Sequence, residues 1–156
     1  MQRKMPGKPG QPPPKRSRYQ NLIFDADRFF AEKDYDTAFQ IYQQALQEAP
    51  PGENHPYAQL CRCYRKQARK LLKQEAWDEL VQSLETMLQI NGNRPNLKGL
   101  DFKVLAEAYL ETGALNKAVE ALNQALKLNP ELEPELKRLN QRIQAESLSQ
   151  NMRNLF

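Results

Sequence analysis

Three segments of this 156-residue chain repeat one another without gaps: "DYDTAFQIYQQALQEAP", "AWDELVQSLETMLQING" and "GALNKAVEALNQALKLNP". Each carries apolar residues at a helical period of 3.6, and each is preceded by another amphipathic stripe across a turn of two or three residues. So short a turn forces the two helices antiparallel. Three similar hairpins in a row are the mark of an array in which each hairpin buries its apolar face against its neighbours.

The stripes give seven helices. Leu22, Ala26, Phe29 and Phe30 pair with Tyr35, Ala38, Phe39, Tyr42, Ala45 and Leu46. "APPGENHP" breaks the chain, because proline and glycine do not continue a helix. Tyr57, Leu60, Cys61, Tyr64, Ala68, Leu71 and Leu72 then pair with Trp77, Leu80, Val81, Leu84, Met87 and Leu88, up to a second break at "NGNRPN". Phe102, Leu105, Ala106, Tyr109 and Leu110 lead through Gly113 to Leu115, Ala118, Leu122, Ala125 and Leu126. Leu132, Leu136, Leu139 and Ile143 mark the seventh. The expected class is all-α, with hairpins over about 19–52, 56–92 and 97–130, a closing helix over 133–147 and a tail over 148–156.

Charge divides the chain unevenly. Residues 1–18 hold six basic side chains (Arg3, Lys4, Lys8, Lys15, Arg16, Arg18), no acid, five prolines and two glycines. Such a stretch buries too little apolar surface to offset its ordering entropy, so it is expected to be a disordered, basic arm. The other 138 residues hold 17 basic and 19 acidic side chains, a net −2. No apolar run reaches the ~20 residues of a membrane span, and no apolar core follows the N-terminal charges as a secretory signal requires. Two cysteines two residues apart close no useful disulfide, which suits a reducing, cytosolic-type compartment.

No converging set of catalytic groups can be assembled. The single histidine, His55, lies beside Pro56 in a break, and no glycine-rich phosphate cradle occurs. Cys61 and Cys63 point about 200° apart on a helix, so both cannot reach one metal ion. Cys61 continues the apolar stripe as a small hydrophobe, and Cys63 has no evident part. The expectation is no enzyme, no metal and no cofactor.

The feature that asks for a function is "RCYRKQARKLLK", residues 62–73, with six positive side chains and no acid. Arg62, Arg65, Lys66, Arg69 and Lys73 recur at spacings of three and four and form one ridge opposite the apolar stripe. A solvated helix face would explain such a run, as would a surface for an acidic partner or for nucleic acid.

The hairpins resemble the tetratricopeptide repeat family. The third fits through Phe102, Leu105, Ala106, Tyr109, Gly113, Ala118, Leu122, Ala125 and Pro130; the first through Leu22, Ala26, Phe29, Ala38, Tyr42, Ala45 and Pro50, with Asp25 in place of a leucine. The second keeps Tyr64, Ala68, Leu71 and Leu84 but puts Leu80 and Met87 where alanines are usual, and Gly92 where proline is usual. Successive hairpins are also further apart than the family's 34 residues: 42 from Ala38 to Leu80 and 38 from Leu80 to Ala118. The resemblance implies a short right-handed α-solenoid over about 19–147, closed by a capping helix whose Asn140 meets water. It also implies that first helices line a concave groove where protein partners dock. By that resemblance Arg62, Arg65, Lys66, Arg69 and Lys73 floor the groove, with Phe24, Asp27 and Phe30 on one side and Lys103, Glu107 and Leu110 on the other. Members of the family that grip a C-terminal carboxylate do so with Lys and Asn, and Ile23, Asp27 and Val104 stand at such places here. The implied function is a non-catalytic adaptor or scaffold that receives an acidic protein segment. RNA binding through the basic arm and the basic helix is the alternative, and "SLSQNMRNLF" offers Leu148, Met152, Leu155 and Phe156 for self-association.

Overall fold

The computed structural model describes residue 10 and residues 15–156. Most of the basic arm expected over residues 1–18 therefore lies outside the described residues. The rest is helical: α1 (Arg18–Ala31), α2 (Tyr35–Leu46), α3 (His55–Lys73), α4 (Trp77–Asn91), α5 (Gly99–Glu111), α6 (Leu115–Leu128), a 3-10 turn at Pro130–Leu132, and α7 (Glu133–Leu155). Among the described residues there is no strand. The helices fall into two compact units that divide after Glu53.

The first unit is the α1–α2 hairpin. Ser17 starts it with a reciprocal cap: its hydroxyl accepts from the Gln20 amide at 3.1 Å, and the Gln20 side chain accepts from the Ser17 amide at 2.9 Å. Ala26, Ala38 and Ala45 are fully buried, and their small size lets the helices approach closely. Tyr42 fills the remaining space and donates its hydroxyl to Asp27. Phe30 meets Tyr35 edge to face at 5.2 Å.

The second unit holds α3 to α7. Here α3 pairs with α4, α4 packs on α5, α5 pairs with α6, and α6 packs on α7. Leu80 and Met87 stand where the other second helices have alanine, and both are completely buried. At the start of α5 the backbone comes very near the end of α6. A Cβ on Gly99 would lie 2.8 Å from Asn129 Cβ and 3.0 Å from the Ala125 carbonyl oxygen, so glycine is required there by space.

All three hairpin turns share one design. Lys33, Glu75 and Gly113 each take a left-handed conformation (φ 64°, 53° and 82°). The next residue then donates its amide back into the first helix: Asp34 to Phe29, Ala76 to Leu71 and Ala114 to Tyr109, at 2.9–3.0 Å. These bonds satisfy carbonyls that the helix end would leave open. The second helix starts within one residue, so each pair must run antiparallel.

One element differs in extent from its expected form. α7 does not stop near residue 147 but continues to Leu155, taking in residues expected to form a tail. Leu136, Leu139 and Ile143 bury its first turns, while Asn140 is exposed as expected of a cap.

Candidate functional site

Helix α3 carries six of the chain's basic residues and no acid in its 19 positions. Its apolar side is committed to the core: Leu60, Cys61, Tyr64, Ala68 and Leu71 are buried. At 100° per residue, Arg62, Lys66, Arg69 and Lys73 then fall within one narrow strip on the opposite side, and all four are exposed. Lys70, at the edge of the strip, is exposed too and widens it. Arg62 donates to the Gln59 side chain at 3.2 Å, which lays it along the helix. Among the described residues Arg69, Lys70 and Lys73 make no ion pair.

Arg65 does not belong to this strip. Its side chain is 16% exposed, and Nε and one terminal nitrogen donate to the two Asp101 carboxylate oxygens at 2.8 Å each. The same terminal nitrogen reaches the Asn96 carbonyl. Burial opposes the Arg65 charge, but the Asp101 hydrogen bonds and charge outweigh it and hold the guanidinium pKa above its ordinary value. The expectation that Arg65 pairs carboxylates on a partner is therefore corrected. Its carboxylate is internal, supplied by α5, and a planar fork on a buried carboxylate is the geometry in which arginine binds most firmly.

Around that pair lies a polar cluster that the sequence does not announce. Asp101 also accepts from the Lys98 amide at 2.8 Å. Asn96 exchanges amide hydrogen bonds with Asn54 at 2.8 and 2.9 Å and donates to Asn91 at 3.0 Å. Asn91, completely buried, donates to the Arg94 carbonyl at 2.8 Å. The Arg94 guanidinium covers the Tyr57 ring, 3.4 Å from its centre. These contacts hold the Gly92–Lys98 break against α3 and satisfy backbone groups that a loop would otherwise leave to water. Asn91 carries the only hint in the sequence, as an amide at a core register position of α4 beside a Gly/Pro break.

Cys61 borders this cluster, with its thiol 3.8 Å from the Asn91 side-chain oxygen Oδ1. Burial raises its pKa, partly opposed by the Arg65 charge. Cys63 is buried as well, so it is a core residue and not a bystander. Tyr64 is 5% exposed, and burial raises its phenol pKa. Among the described residues no three His, Cys, Asp or Glu side chains group closely enough to share a metal ion. Nor is any helix among them long and apolar enough to cross a membrane.

The remaining expected site residues fall in different settings. Lys103 on α5 pairs with Glu135 on α7 at 2.5 Å, and that hydrogen bond lowers the Glu135 pKa. Glu107 is half-buried and Leu110 is buried, so Leu110 offers no apolar anchor to a partner. In the first unit, Phe24 is 54% exposed, with the Arg16 guanidinium 4.5 Å from its ring centre. Asp27 is held by Tyr42, and Phe30 is half-buried against Tyr35.

Comparison with known proteins agrees with this architecture. Residues 104–132 match the tetratricopeptide repeat family. The C-terminal TPR-containing domain of a Plasmodium falciparum FK506-binding protein has a similar fold, at 17% identity and TM-score 0.51, covering 86% of this chain and 91% of that one. The Yersinia enterocolitica type III secretion chaperone SycD, solved with a peptide of the translocator YopD, is similar at 19% identity and TM-score 0.42, covering 83% of this chain and 92% of that one. No curated protein matches the sequence. The direct family match thus covers the third hairpin, and the first two hairpins share that hairpin's turn design.

Proposed function

We propose that the protein is a non-catalytic adaptor that holds an acidic segment of a partner protein on the exposed face of α3. One observation carries this reading. Arg69, Lys70 and Lys73 stand together on a helix without a single acid and make no internal ion pair among the described residues, while Arg62 and Lys66 extend the same strip. Like charges on one helix face destabilise it unless something neutralises them. A carboxylate-rich segment does so, and it gains on-rate from the same field. Arg65 takes no part in capture; its role is to fix α3 against α5 so that the strip is rigid. The buried thiols of Cys61 and Cys63 suit a reducing compartment such as the cytoplasm.

RNA binding is the weaker reading. Tyr64, the one aromatic ring within residues 62–73, is buried and offers no stacking surface.

The test is binding of a fluorescein-labelled Glu/Leu peptide, followed by anisotropy. Replacing Arg69 and Lys73 by Glu is expected to weaken binding by at least about tenfold, and added salt is expected to weaken wild-type binding. Undiminished binding by the double variant, with helix content intact, overturns the assignment. A tighter hold on a single-stranded RNA oligonucleotide than on the peptide decides for the other reading.

A further inference from the structure

Helix α7 leaves two apolar features uncovered, at opposite ends. Near its start it forms one wall of a groove of about 250 Å³ with α6, floored by Leu122 and Leu136 and edged by Val119, Leu126, Lys137 and Asn140. Val119 and Leu126 are exposed there. Near its end, Leu148, Met152, Leu155 and Phe156 project into solvent at 66%, 60%, 80% and 103% exposure. The buried residues Leu136, Leu139 and Ile143 lie on the other side of the helix from this stripe, so α7 packs on its own unit along one side and presents the stripe outward. A cap that closes a repeat array should be polar outside. This one is polar for only its first half, where Lys137, Arg138 and Gln141 face water.

We infer that a second copy of this chain covers both features, in a two-fold pair with the two α7 helices antiparallel and each distal stripe seated in the other copy's α6–α7 groove. The placement of the features on α7 selects this occupant. On α7 the groove centres near Leu136 and the stripe near Met152, so a two-fold axis passing by Gln144 exchanges one for the other. Leu148 then comes opposite the partner's Asn140, and Met152 opposite the partner's Leu136. Lys137, Gln141, Gln144 and Leu148 lie along one side of the helix, which gives the pair a continuous seam. A single operation covers every exposed apolar side chain involved, as an isologous interface requires. The stripe side chains carry no charge, Glu133 and Lys137 edge the groove with opposite charges, and Arg153 is turned to Glu146 at 2.8 Å on another side. Area is sufficient as well. The four stripe side chains present roughly 500 Å² per copy, so two stripes reach the roughly 1,000 Å² expected of a specific interface.

The test uses the full chain in sedimentation equilibrium, together with cross-linking at the axis. The wild type is expected to have the mass of a dimer, and the double variant Leu148→Glu/Met152→Glu that of a monomer with unchanged circular dichroism. Val119→Glu/Leu126→Glu, on the groove side, is expected to do the same. Gln144→Cys, exposed beside the proposed axis, should form an intermolecular disulfide under mild oxidant much faster than Lys127→Cys, which lies on α6 away from it; Cys61 and Cys63 are buried and do not compete. A wild type that stays monomeric at a concentration of about 100 µM overturns the inference. So does a dimer that survives the stripe substitutions, or a Gln144→Cys chain that cross-links no faster than the Lys127→Cys control.

Discussion

Arg65 and Asp101 tie the first helix of one hairpin to the first helix of the next, beside the break between α4 and α5. Both charges are largely removed from water, 16% and 6% exposed, so their attraction is weakly screened and loss of either leaves the other stranded. Asp101→Asn is expected to lower stability by about 3 kcal/mol, read from urea unfolding, because the amide strands the guanidinium and donates where the Lys98 amide needs an acceptor. Lys73→Glu, on the exposed strip, should change stability by less than about 0.5 kcal/mol. Equal effects would mean that the pair and the strip do the same work. Spacings of three and four place Arg65 with Arg62 and Arg69, yet it sits toward one edge of that face, and the acid that claims it is 36 residues away. Local periodicity separates wet from dry sides well. It says nothing of a partner brought in by tertiary packing, which is also why Cys63 reads as incidental in sequence and is buried in the fold.

At the level of elements, the hairpin turn is the unit that repeats most faithfully. Its left-handed residue is glycine in the third turn but lysine and glutamate in the first two, where the side chain crowds the following carbonyl. Gly113 in "ETGAL" announces this turn, while "EKDY" and "QEAW" conceal the same backbone behind ordinary residues. Lys33→Gly and Glu75→Gly are each expected to stabilise the fold by about 0.5–1 kcal/mol, the relief of strain exceeding the entropy that glycine adds to the unfolded chain. A rise in the urea midpoint for both substitutions is the sign to look for; a fall in both would show that these turns carry no strain. The seven helices were legible because long amphipathic stripes bounded by Pro and Gly leave few alternatives. The end of α7 was not. No Gly or Pro stops it, and its stripe moves from the packed side to the outward side without breaking the period.

For the molecule as a whole, three buried protonated groups, Cys61, Tyr64 and Tyr109, contribute to the response to pH. Burial raises the pKa of the Cys61 thiol above its ordinary 9.0 and that of the Tyr64 phenol above 10.0. Tyr109, whose hydroxyl donates to Glu85 at 2.6 Å, is raised by burial first and by that carboxylate next. All three shifts have the same sign: the folded chain holds protons that the unfolded chain gives up. Stability from these groups is therefore fully present at neutral pH and is lost as pH rises past about 9, first through the thiol and then through the phenols. The slope should reach about 1.4 kcal/mol per pH unit for each group that titrates in the unfolded state alone. Cys61 borders the α3–α5 contact and Tyr109 bridges α5 to α4, so this loss falls on the joints between hairpins. Urea midpoints measured from about pH 7 to about pH 11 should stay level at first and then decline, and Tyr109→Phe should make the decline shallower by removing one titrating proton. A midpoint that holds level to the alkaline end, or a Tyr109→Phe chain that declines as steeply as the wild type, would show that these buried protons do not govern the fold.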